Sequence, residues 1–236
     1  MHLPAGLVPF WSHGTSHQGG IGLWVKQSFL DRFSQPEEGW DSCWEIIEPG
    51  RIANLHLTGP EGQLDIMCCY LHASDHLHRQ SSILSMANHI RSNFSTLTIL
   101  SGDFNFTIKE EDRMCCKHNT FTGNNNNNAL DAKFVQSHIC ERHGMAEWEQ
   151  DQFTYMQQDP KVASRLDRIY SNQHISCQLD RACSCSALEW SLQLSRHRPI
   201  SYARRAPPVK GGADRPISEL TTKHPQFRPR VVATFE

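Results

Sequence analysis

Leu97-Thr98-Ile99-Leu100-Ser101-Gly102-Asp103-Phe104-Asn105 is a short apolar run that ends in Gly-Asp-X-Asn. An apolar segment of this length before a Gly-Asp turn predicts a buried strand. Side chains alternate along a strand, so Asp103 and Asn105, two positions apart, point to the same side of its end. The residue types suit phosphate chemistry. Asp can orient a water or hold a divalent cation, Asn can donate to a phosphate oxygen, and glycine lets a backbone come close to a ligand. Taken alone, the same residues also start ordinary turns.

Two further motifs follow in order. Ser164-Arg165-Leu166-Asp167-Arg168-Ile169-Tyr170 is preceded by Phe153-Thr154-Tyr155 and followed by Ser195-Arg196-His197-Arg198-Pro199. They add a second carboxylate and a late histidine, the parts of an Asp–His pair in which the acid orients and charges the imidazole. On residue grounds Asp167, between Arg165 and Arg168, also fits a surface ion pair, and His197 between two arginines fits a solvated loop.

In this order and spacing the motifs resemble the endonuclease/exonuclease/phosphatase superfamily, the DNase-I-like fold. That family reads Gly-Asp-Phe-Asn, an aromatic-Thr-aromatic strand, Ser-Arg-Ile-Asp-Tyr and Ser-Asp-His-X-Pro. The likeness spans roughly residues 19 to 203 and is greatest to the apurinic-type endonuclease domain of non-LTR retrotransposons. The resemblance implies an α/β fold, a two-sheet β-sandwich flanked by helices in four layers. It implies a phosphodiesterase acting on DNA, with Mg²⁺ or Mn²⁺ as cofactor. Asp103 would then orient the water and contribute to the metal site, and Asn105 would bind phosphate or hold Asp103. His197 would contact the phosphate oxygen or act as acid/base, with Asp167 fixing its tautomer and raising its pKa. Tyr70 matches the family's active-site Tyr, although it also reads simply as a strand-end aromatic. A reverse transcriptase in a longer parent protein is the implied partner.

Three departures bear on activity. The family's first strands carry an Asn and the Glu that is the principal metal ligand, and no such pair stands before Gly19. The fold is thus expected to lack its first strands, as an N-terminally truncated fragment. Arg196 stands where the family has Asp, which predicts repulsion of Mg²⁺ and a lowered His197 pKa. Leu71-His72-Ala73 replaces a Pro-containing turn. The alternative is therefore a catalytically dead remnant or a binding module of the same fold.

The rest of the chain sets bounds. At 236 residues one sandwich domain is expected, and a net charge of −2 leaves DNA attraction to local patches such as Arg196, Arg198, Arg204 and Arg205. No run approaches the roughly 20 apolar residues that span a bilayer, and no signal peptide is recognisable, so an intracellular, nuclear or cytoplasmic protein that is not secreted is expected. The nine cysteines are odd in number with two adjacent pairs, which predicts reduced thiols. Cys177, Cys183, Cys185 and His174 are the one zinc candidate, though without Cys-X-X-Cys spacing.

Organisation follows from composition. Residues 1–18, rich in Gly, His, Ser and Pro, predict a disordered leader, 19–205 the main domain, and 206–236 a Pro/Arg-rich linker or tail. Strands are expected over 19–26, 51–57, 64–70, 153–156, 165–170 and 186–190. Helices are expected over 80–93 and 131–143, with Gly144 as a stop. The segment 107–128, ending in Asn124–Asn128, predicts an inserted loop.

Overall fold

The computed structural model describes residues 5–15, 19–91, 95–123, 125–148, 150–157, 161–172, 183–190 and 195–204. The expected tail 206–236 lies outside them, as do His174 and Cys177 of the zinc candidate. The chain opens with β1 (Leu7–Ser12), β2 (Ile21–Lys26) and the short helix α1 (Gln27–Leu30). Then come β3 (Trp44–Glu48), β4 (Ile52–Gly59), β5 (Gly62–Tyr70), helix α2 (His76–His89) and β6 (Thr96–Asp103). The second half holds β7 (Arg113–Cys115), β8 (Thr120–Phe121), helix α3 (Asn126–Val135), β9 (Ala146–Glu147), β10 (Tyr155–Gln157), β11 (Val162–Ser164), β12 (Asp167–Ser171), β13 (Cys183–Ala187) and β14 (Ile200–Arg204).

A six-stranded sheet ordered β3-β4-β5-β6-β12-β9 is the frame of the molecule. Its centre is the parallel pair β5–β6, joined by α2 as the crossover, and β12 returns antiparallel on β6. Alternation divides its apolar residues between two faces. One face sends Ile52, Met67, Cys69, Leu100 and Tyr170 against Ile83, Met86 and Ala87 of α2 and Val135 of α3. The other sends Leu55, Leu57 and Leu64 against Phe10 and Val25 of the β1–β2 hairpin and Leu30 of α1. A shorter sheet, β10-β11-β7-β8, and the β13–β14 pair complete an α/β fold of sheets flanked by helices.

Two segments depart from the sequence reading. Leu7–Ser12, placed in the expected leader, forms a strand in full register with Ile21–Lys26. Burial of Phe10 and Ser12 supplies the reason, and Ser12 Oγ accepts from Gly50 N at 2.8 Å. The expected 107–128 loop contains β7 and β8, and its asparagine run begins α3. Asn125 caps that helix by accepting from Asn128 N at 2.8 Å, while the buried Asn128 donates to Thr107 Oγ1 and Gly123 O. The helix passes into a π-turn at Gln136–Glu141 and stops before Gly144, whose φ is +62°. Cys43, Cys68, Cys69, Cys115, Cys116, Cys140 and Cys185 are free thiols, as expected.

Candidate active site

Gly102 explains how the frame closes tightly enough to gather a site. Its φ is +151°, and a Cβ there would lie 1.9 Å from the Cys69 carbonyl oxygen. Any side chain would therefore force β6 away from β5. With glycine in place, Tyr70 and Asp103 are register partners at the ends of the two strands, and Leu71 N donates to Asp103 O at 2.9 Å. Beyond Asp103 the chain turns through Asn105, at φ +55°, a left-handed conformation that Asn tolerates. Asn105 N donates to Asp103 Oδ1 at 2.9 Å, and its side-chain Nδ2 donates to Leu71 O at 2.8 Å. The Asn105 side chain thus pins the loop, and its backbone pins the Asp103 carboxylate.

Antiparallel pairing puts Asp167 directly opposite Asp103. His197 arrives from the far end of the chain, and its Nδ1 lies 2.9 Å from Asp167 Oδ2, with Nε2 3.8 Å from Asp103 Oδ2. One ligand atom from each of Asp103, Asp167 and His197 falls within 4.8 Å of the others. Burial and then the neighbouring Asp167 charge push the Asp103 carboxyl up to about 6, against the opposing pull of His197 and Asn105. Burial alone would lower the His197 pKa, yet the hydrogen bond and charge of Asp167, with the charge of Asp103, raise it overall. This corrects the expectation that Arg196 would lower it. Arg196 is exposed, and its carbonyl accepts from Met156 N at 3.0 Å.

The alternative surface pairing of Asp167 with its flanking arginines is not formed. Arg165 and Arg168 point away, into a buried network with Asp112 and Glu147 at 2.7–2.8 Å. Tyr70 sits at the site's edge with the Arg51 guanidinium 4.7 Å over its ring. The structure therefore brings Asp103, Asp167 and His197 into one cluster, with Asn105 behind Asp103 and Tyr70 on the adjoining strand.

Two neighbours were given no site role by the sequence reading. Tyr155 packs its ring 4.9 Å from the His197 imidazole. Arg113 lines a polar cavity of about 420 Å³ together with Ser74, Asn105, Asn126 and Asn127. Its Nε donates to Ser164 Oγ at 3.1 Å, and among the described residues no carboxylate pairs with it. An arginine in a polar stretch carries no sequence signal of this kind.

No family model and no curated protein matches the sequence. Solved structures do match the fold. The endonuclease domain of TRAS1, a telomere-specific non-LTR retrotransposon, is similar at a TM-score of 0.58 and 13% identity, covering 85% of this chain and 81% of that one. An AP endonuclease from Archaeoglobus fulgidus is similar at a TM-score of 0.55 and 12% identity, covering 85% and 80%. D. rerio TDP2, complexed with single strand DNA product, is similar at 0.50 and 14%, covering 84% and 76%. The protein is thus an α/β sandwich with a carboxylate–histidine cluster at a sheet end. Its fold is the DNase-I-like fold.

Proposed function

We propose that this chain is a divalent-metal-dependent phosphodiesterase that nicks DNA. The observation that carries the reading is the convergence of Asp103, Asp167 and His197 within 4.8 Å on a DNase-I-like frame. Two facing carboxylates, one of them pushed up to about 6 by burial and its neighbour, form a place where a hard cation relieves repulsion. The donor set therefore fits Mg²⁺ or Mn²⁺, held by Asp103 and Asp167. When bound, such an ion supplies charge neutralisation at the phosphate and the leaving oxygen.

The protein groups divide the remaining work. Asp103, once ionised, accepts a proton from the attacking water and aims it, with Asn105 N fixing the carboxylate rotamer. Asn105 Nδ2 donates one of its two N–H groups to Leu71 O, so its amide can hold the loop and still serve a phosphate oxygen. Asp167 holds the Nδ1 side of His197, which leaves Nε2 to meet a phosphate oxygen. The raised pKa favours the protonated imidazole, which donates there. Arg113, which among the described residues pairs with no carboxylate and lines the cavity beside Asn105, supports a polyanionic substrate.

DNA as substrate is supported by the DNA product in the TDP2 complex and by the likeness to the TRAS1 domain, both as properties of those proteins. A retrotransposon origin, with a reverse transcriptase in a longer parent protein, belongs to the same reading. A second reading, a non-catalytic member of the fold, is favoured by Arg196, an exposed cation next to His197. Nicking of supercoiled plasmid by the purified chain in Mg²⁺ or Mn²⁺ separates the two. Asp103→Ala is expected to lower the rate about a hundredfold or more. No nicking by either the wild type or Arg196→Asp, both folded, would sink the first reading.

A further inference from the structure

The two members of the Asp167–His197 pair come from separate segments, and one buried residue ties both. Thr154 is fully buried. Its Oγ1 accepts from Leu166 N and from Asp167 N, each at 3.0 Å. Its own N donates to Ser164 O at 2.9 Å. Its carbonyl accepts from Arg198 N at 2.7 Å, one residue beyond His197. The next residues continue the clamp. Tyr155 bridges His197 as a strand partner, and Met156 N donates to Arg196 O at 3.0 Å. Backbone bonds on either side of His197 thus run to 154 and 156, while the hydroxyl of the same Thr154 fixes the backbone that carries Asp167.

We propose that Thr154 is a positioning residue that sets the distance between Asp167 and His197. The argument is geometric. The pair needs its 2.9 Å contact held while a substrate arrives, and a misplacement of about 1 Å at a reacting centre can cost on the order of a hundredfold in rate. Each half hangs on a bond to Thr154, so movement of one is carried to the other through a single rigid residue. A hydroxyl is required because it accepts two N–H groups at once, and a methyl in its place leaves both buried donors unpaired. β-branching restricts the χ1 rotation that aims Oγ1, which favours Thr over Ser at this buried position. The inference rests on the reading of Asp167 and His197 as a working pair.

The test compares Thr154→Val with Thr154→Ser in the full chain, using two readouts. In the metal-free protein, the downfield proton resonance of His197 Nδ1–H, identified by its loss in His197→Gln, reports the bond to Asp167 without any turnover. It is expected to broaden or vanish in Thr154→Val and to persist in Thr154→Ser. In plasmid nicking, Thr154→Val is expected to lower kcat about tenfold or more with KM within about twofold, and Thr154→Ser to restore most of it. A folded Thr154→Val chain with the wild-type resonance overturns the proposal. If neither the wild type nor Arg196→Asp nicks, the phosphodiesterase reading fails while the resonance still decides this one. Should Thr154→Val fail to fold, amide exchange in the wild type decides. The Leu166, Asp167 and Arg198 amides are expected to share one protection level, and a freely exchanging Arg198 overturns the link.

Discussion

Asp167 and Arg168 are consecutive residues of one strand, and alternation sends them into two charge clusters of opposite character. Arg168 enters a closed network in which two guanidiniums meet two carboxylates, and Arg168 and Arg165 hold the Asp112 carboxyl down at about 2 despite burial that acts to raise it. Asp167 enters an open cluster of two carboxylates and one imidazole, in which Asp103 is pushed the other way, up to about 6. Balanced charge inside a protein holds elements together. Unbalanced charge at a sheet end costs stability and waits for a ligand.

The contrast can be broken at its strongest point first. Arg168→Ala leaves two buried carboxylates, Asp112 and Glu147, to share the one guanidinium of Arg165, and should cost about 3–5 kcal/mol of stability, read from urea unfolding. In the open cluster the sign reverses. Asp103→Asn removes a carboxylate that the native state resists ionising, so it should stabilise the metal-free protein by about 1–3 kcal/mol at pH 7. The pH dependence follows. Because the native carboxyl titrates above the unfolded one, the wild type should lose this stability as pH rises from about 4 through about 6, and Asp103→Asn should not. A wild type without that decline would mean the cluster is not strained.

Two smaller effects sharpen the comparison. Mg²⁺ in large excess should raise Tm in the wild type through preferential binding to the native state, and leave that of Asp103→Asn nearly unchanged. An equal rise in both would place the ion elsewhere. Arg113→Gln should lower the slope of log binding constant against log salt by about one for an oligonucleotide, without altering the melting profile. An unchanged slope would remove Arg113 from the substrate path.

How much of this was legible in the sequence follows a physical rule. The β4–β5 hairpin, β6 and helix α2 were readable because each carries its own period and punctuation, such as Gly59-Pro60-Glu61-Gly62 between two apolar runs. Helix α2 extends further toward its N-terminus than periodicity suggested, since Asp75 caps it by accepting from His78 N. Strand β1 was missed because Pro9 interrupts its short apolar run and Gly, His and Ser surround it, and pairing with β2 and burial of Phe10 make it a strand. The helix at Asn126 was missed because asparagine has low helix propensity, while its cap and the buried amide of Asn128 are tertiary facts. Asp103 and Asn105 stand in a local motif. The pairing of Asp167 with His197 is expected from the motifs and their order, whereas the orientation of Arg168 away from it and the two hydrogen bonds accepted by Thr154 Oγ1 belong to the sheet and cannot be read from spacing.

The parallel pairing of β5 with β6 also fixes where along the chain the parts of the site lie. The apolar frame from β3 to β6, with α2, comes from a continuous early stretch of chain, whereas Asp167 and His197 leave the ribosome much later. A nascent chain that has just reached Asp103 lacks Asp167 and His197, and also Val135, Ile139 and Tyr170, which cover one face of that frame. The residues that close the core and those that complete the site therefore arrive together, so a polypeptide that stopped after β6 would want for both.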